Sequence, residues 1–357
     1  KDDLAVALAA IQQDCFLLEF ASDALRDDCR VVLSAVRRDW RALQFAGGAM
    51  RNNREVVLTA VRQDWSALQF AEEAMCADRE VVLSAVSQDW RAVLFVSDEI
   101  RSDRSFVLTS IEKGWCTLDF AAAHLRADDE IVMAAVRRDG KAVQLASPAL
   151  RERQDIALAA VEQNWEALAC MPAFKGDRVV MTAAVRQDWR ALRLASAKLC
   201  ADRSLVLLAV GQDGGALRFA SEALREDREV VAAAVLSDGE ALQFAGPGLR
   251  GDREIALAAA RRDWRAYRFV SKLLLADRDF VLAAVRQDWH VVELMDVSLG
   301  SDQDIIRAAV RQDGCALRFA ARALRSDRGI VAQAVRRSPS ALAFATGEAR
   351  FDSEVLL

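Results

Sequence analysis

The sequence repeats itself every 25 residues, and that period constrains the fold more than any other property of the chain. The segment Asn53 to Met75 and the segment that begins at Asp78 match at nearly every apolar position. With the first acidic residue taken as position 0, copies begin at Asp3, Asp28, Asn53, Asp78, Asp103, Asp128, Arg153, Asp177, Asp202, Asp227, Asp252, Asp277, Asp302 and Asp327. Residues 3–352 therefore read as a single array of fourteen repeats, with one unit, 153–176, shortened to 24 residues. Residues 353–357 read as the truncated start of a fifteenth.

Local structure follows from the punctuation of the unit. Position 0 is Asp in twelve copies and Asn in one, before runs such as Arg-Glu-Val-Val-Leu, the pattern of an N-cap and a helix. Position 11 repeats the signal with eleven Asp, plus Asn164, Ser338 and Gly114, all types that tolerate an N-cap. A second helix is predicted from position 12, where Pro339 follows Ser338 at a site whose missing N–H costs nothing. Pro148 and Pro247, both at position 20, predict a third, single-turn helix.

Position 7 is Ala in thirteen copies, position 8 is Val or Ile in thirteen, and position 17 is Phe in ten. Small residues at a fixed place let neighbouring helices approach, and Phe and Val fill the space left. Helices this short are marginal alone and gain their stability from the units on either side. The predicted fold is all-α: an α-solenoid, a superhelical array in which each repeat is a longer helix, a short helix and a turn. At roughly 10 Å between packed helices, the array would follow a curved contour on the order of 140 Å.

The unit Asp-Arg-Glu-Val-Val-Leu-x-Ala-Val-x-Gln-Asp-Trp/Gly-x-Ala-Leu-x-Phe-Ala-Ser resembles the domain-of-unknown-function family catalogued as 4116, which occurs in tandem copies. The resemblance extends over practically the whole chain. It implies a tandem-repeat protein and brings no activity, cofactor or catalytic residue with it. Gly114, Pro172, Ser338 and the shortened unit depart from the pattern.

Composition excludes several classes of function. His124 and His290 are the only imidazoles, too few for a His-rich metal site or a nucleophile–His relay. Seven scattered Cys with no CxxC pair point to reduced thiols and an intracellular, reducing compartment. A formal charge of −5 weighs against nucleic acid, and no uncharged apolar run approaches the roughly 18 residues of a membrane span. No metal or cofactor is expected. Catalysis would have to start from His290 and Asp288, which at a spacing of two on a helix are not expected to face each other.

The remaining candidates are surface positions. All eight Trp fall at position 12: Trp40, Trp65, Trp90, Trp115, Trp165, Trp189, Trp264 and Trp289, with Gly140, Gly214, Gly239 and Gly314 taking their place elsewhere. A position that accepts the largest side chain or none reads as an edge, where each indole covers an inter-repeat seam or an Arg stem. The alternative is an aromatic ladder, Trp40, Trp65, Trp90 and Trp115 with Arg41 and Arg91 beside it, gripping a partner or an apolar ligand. Position 16 changes from Gln44, Gln69 and Gln144 to Arg193, Arg218, Arg268 and Arg318, which read as a solvated face balanced by Glu240 and Glu293, or as a stripe for an anionic partner. Arg at positions 1 and 23 beside Asp at position 0 reads as a soluble rim. The residue lost near Pro172 is expected to tilt the following unit.

Together these features predict a non-enzymatic scaffold for protein–protein interaction, or a structural subunit of a larger assembly. Small-molecule, pigment or peptide binding along the Trp edge is the alternative, and nucleic-acid binding a third. Neither end carries a polar capping unit, so the ends are expected to pack on further repeats or chains.

Overall fold

The computed structural model describes residues 4–114 and 118–351. Every regular element among the described residues is helical, and the chain is an all-α solenoid of 25-residue repeats. In the second repeat the long α-helix spans Cys29–Val36, a second helix Trp40–Phe45 and a single turn Gly48–Arg51. The ninth shows the same order with Arg203–Gln212, Gly214–Phe219 and Glu222–Arg225.

The capping carboxylates explain why each element starts where it does. The Asp28 Oδ1 accepts from the N–H groups of Arg30 at 2.9 Å and Val31 at 3.3 Å, and Asn53 does the same for Glu55 and Val56. These are two of the donors that a helix start leaves without an internal partner. Asp39, extended at φ −150°, opens the second helix by accepting from Arg41 N–H at 2.8 Å.

That second helix is 3-10, which the sequence did not reveal. Six residues are held between two extended ones, Asp39 and Ala46, and the segment closes with Ala46 N–H on the Leu43 carbonyl at 3.1 Å. So short a span favours the tighter i→i+3 ladder. Positions 14, 15 and 18 point inward, as in Ala42, Leu43 and Ala46, while positions 13 and 16 share the outward face.

Gly114 departs from expectation in another way. Its φ of +75° is not the extended backbone of the other position-11 residues and places it at the C-terminal end of the long helix Arg104–Glu112, with its N–H on the Ile111 carbonyl at 2.9 Å. Trp115 to Thr117 lie outside the described residues.

Repeats are joined in four ways. Apolar burial comes first: Val31, Val32, Ala35 and Val36 of one long helix are all fully buried. Second, the position-19 N–H donates to the position-23 carbonyl of the preceding repeat, as in Gly47 to Arg26 at 2.8 Å and Ser147 to Arg126 at 2.9 Å. Pro172 holds position 19 in the shortened repeat and has no N–H to give. Third, Gln at position 10 reaches back to the last turn of the preceding long helix, Gln63 to the Val36 carbonyl and Gln88 to the Val61 carbonyl, both at 2.6 Å. Where Arg replaces Gln, it donates to the same helix end, as Arg138 does to Glu112 O at 3.1 Å.

The fourth joint corrects the reading of position 1. Its arginines form a ladder rather than a rim. Arg54 meets Asp78 at 2.9 Å and Glu80 at 2.6 Å, Arg104 meets Asp128 at 2.8 Å and Glu130 at 2.6 Å, and Arg278 meets Asp302 at 2.6 Å and Asp304 at 2.7 Å. Each arginine thus contacts the cap and first turn of the next helix.

The chain divides into two compact units, Lys1–Phe174 and Lys175–Leu357, with the division inside the shortened repeat.

Candidate functional site

The 3-10 helices carry most of the sequence-predicted candidates, because position 12 starts each of them and positions 13 and 16 face outward. Among the described residues, Trp40, Trp65, Trp165, Trp189, Trp264 and Trp289 are half-buried, and Trp90 is 53% exposed. Trp115 lies outside the described residues. Trp40 stacks on Phe70 at 6.1 Å, while Trp65 lies tilted against Phe95 at 6.3 Å and Trp189 against Phe219 at 6.1 Å, in each case on the position-17 ring of the next repeat. The indole therefore covers an inter-repeat seam at these three places.

Trp90 differs because Phe120, at the equivalent place in the following repeat, is buried. A cleft of about 470 Å³ opens beside Trp90, lined by Ile111, Leu118, Ala142 and Leu145 among others.

The glycines of position 12 do not mark an open edge. Gly140, Gly214, Gly239 and Gly314 are buried, and a methyl group on each would lie 2.2–2.5 Å from the position-7 carbonyl oxygen of the next repeat. Trp and Gly are alternative seam arrangements, one with an indole laid across the neighbour and one with backbone brought close.

The arginines divide by partner. Arg41 lies 5.1 Å over the Trp40 ring and pairs with Asp39 at 3.3 Å, and Arg91 is 3.8 Å from Asp89. Arg193, Arg218, Arg268 and Arg318 are all exposed. Arg318 pairs with Glu293 at 2.7 Å, the balance expected of a solvated face, and lies 4.4 Å over Phe319. Arg268 lies 5.8 Å over Trp264. Arg218 lies over three rings, Trp189 at 5.1 Å, Phe219 at 5.0 Å and Phe244 at 5.9 Å.

Asp288 and His290 do face each other, contrary to the helical-spacing argument. Asp288 is the extended cap of a 3-10 helix, so its carboxylate turns back over the first turn, and Oδ1 lies 2.6 Å from His290 Nδ1. The imidazole is also sandwiched between Trp264 at 4.4 Å and Trp289 at 4.2 Å. Burial pushes the Cys76 and Cys200 thiols up, which disfavours the thiolate. The cross-repeat pairing of the position-1 arginines was misread as a rim and the bridging glutamines were missed; their signal was recurrence at positions 1 and 10.

A family model described as a domain of unknown function, DUF4116, matches residues 3–51, 28–76, 53–101, 78–126, 103–151, 128–173, 202–250, 252–300 and 302–348. Most of these windows span two successive repeats. No curated protein matches the chain.

Proposed function

The chain belongs to the DUF4116 family, and from that premise we propose that it is a non-enzymatic repeat scaffold whose outward row of 3-10 helices receives a protein partner. One observation carries the reading: within the chain, the positions that stay constant are buried or form the joints, while the positions that vary, 13 and 16, are mostly exposed. Position 13 runs through Arg41, Ser66, Arg91, Lys141, Glu166, Arg190, Glu240, Arg265 and His290 on one unchanging frame. A constant frame with a variable outer row adds recognition surface repeat by repeat without a new fold. Within this reading Trp90, Arg91 and the exposed Leu94 are the partner-facing end of the Trp edge in the first unit, with Trp40, Trp65 and Arg41 along it.

The test is cross-linking of the full chain in its source cells, followed by mass spectrometry. Cross-links clustered on residues flanking the outer row support the scaffold; recovery of no protein, or of a protein linked only through the long-helix face, would sink it.

The cleft beside Trp90 favours a second reading, a small apolar ligand, since its volume is that of a ligand site. In that case Trp90→Ala abolishes retention of a co-purifying small molecule while leaving protein cross-links in place.

A further inference from the structure

We propose that Arg218, seated on the Trp189, Phe219 and Phe244 rings and flanked by Arg190 and Arg193, is a docking site for an acidic peptide segment of a protein partner. This rests on the scaffold reading and names the chemistry of one stretch of its surface.

The first argument is preorganisation. Arg218 is exposed, and it has no hydrogen-bond or ion-pair partner among the described residues. Rings beneath the guanidinium hold it in place without using its in-plane N–H donors, so less side-chain freedom is lost when a carboxylate is taken in fork geometry. Gly215, at position 13 of the same repeat, is buried and puts no side chain beside the rings; a methyl group there would lie 2.9 Å from Asp213 Oδ1 and in ordinary contact with the Trp189 indole at 3.7 Å.

The second argument is that the row already displays the missing ligand. Arg318 holds the same repeat position as Arg218 and takes the carboxylate of Glu293, position 16 of the repeat before it, at 2.7 Å. Lys141 and Glu166 make the same kind of cross-repeat pair at 2.5 Å. On either side of Arg218 the position-16 residues are Arg193 and Gln243, neither of which can supply a carboxylate. The outward row of the eighth and ninth repeats is Arg190, Arg193, Gly215 and Arg218, with no acid in it. Among the described residues Arg190 meets one carboxylate, Asp188 at 3.1 Å, and its guanidinium lies over the same Trp189 ring at 5.5 Å. A run of carboxylates along an extended segment complements this row.

The experiment is fluorescence anisotropy of the full chain with three labelled probes: a short peptide alternating Glu and Ser, its Gln counterpart, and a short single-stranded oligonucleotide. The Glu peptide is expected to bind, to weaken as salt rises, and to exceed the Gln peptide at every salt concentration. Arg218→Gln is expected to weaken it about fivefold, and Arg218→Lys to recover part of that loss because charge returns without the fork. Arg286→Gln, an exposed arginine on a long helix, is expected to leave the affinity unchanged. Glu293→Gln, which releases Arg318, is expected to raise affinity about twofold. Equal affinity for Arg218→Gln and Arg286→Gln overturns the proposal, as does failure of the Glu peptide to bind. Tighter binding of the oligonucleotide, lost in Arg218→Gln, reassigns the site to phosphate and overturns it too. Each of these failures leaves the scaffold reading standing if cross-links still fall on the outer row.

Discussion

Trp65 and Trp90 hold the same position in consecutive repeats, yet among the described residues Trp65 lies against a ring of the next repeat, Phe95, and Trp90, more exposed, shows no such contact. Trp65→Ala therefore removes a half-buried indole and an inter-repeat aromatic contact, and should cost about 2 kcal/mol. Trp90→Ala should cost less than about 1 kcal/mol, since its surface is largely in water already. Denaturant melts of the two variants measure the difference; equal losses would mean that the Phe95 contact adds nothing. A reduced partner affinity in Trp90→Ala without a change in midpoint would mark it as a binding residue. The half-buried state of the indoles was legible from the Trp/Gly alternation. The reason for the alternation was not, because it depends on how near the next repeat's carbonyl comes. The sandwich around His290 was hidden for a related reason: it joins residues 26 apart, and nothing local to His290 signals Trp264.

At the scale of the element, caps and close approaches decide stability. Asp128 both caps Asp129–Arg138 and receives Arg104 at 2.8 Å, and Asn at position 0 caps equally well at Asn53. Asp128→Asn should thus keep the cap and lose only the exposed pair, within about 1 kcal/mol, while Asp128→Ala should lose about 1 kcal/mol more. Similar midpoints for the two variants would show that the cap contributes nothing. Gly239→Ala tests the seam: its new methyl would lie 2.5 Å from the Ala259 carbonyl oxygen, and it should destabilise by about 1–3 kcal/mol although alanine is the better helix former. The long helices were readable because an acidic cap precedes a 3.6-residue apolar pattern in nearly every copy. The 3-10 character of the second helix was not. Over six residues the two helical periods predict nearly the same inward positions, and backbone bonds three residues back, from Ala42 to Asp39 and from Ala46 to Leu43, separate them.

In the whole molecule, a modest effect at one cap is repeated along the chain, and pH makes the sum visible. Arg104 and backbone N–H groups hold the Asp128 carboxyl below the ordinary carboxylate range, Arg178 does so at Asp202, Arg30 at Asp28, and the Val230 N–H at Asp227. Each of these groups binds a proton less readily folded than unfolded, so each contributes stability that is fully present above the unfolded value of about 3.9. That contribution disappears as pH falls through the lower folded values. The thermal midpoint should therefore be nearly flat from neutrality to about pH 5 and fall steeply below about pH 4. Because the arginine ladder supplies part of the shift, high salt should make the acid limb shallower, while the part due to backbone N–H donors persists. Replacing Asp128 and Asp202 together by Asn should shallow it at every salt concentration, because Asn accepts the same N–H groups and does not titrate. Thermal melts followed by circular dichroism across pH and salt measure all three. A midpoint that rose between pH 5 and pH 3 would mean that protonation relieves net repulsion and that the caps do not govern acid stability.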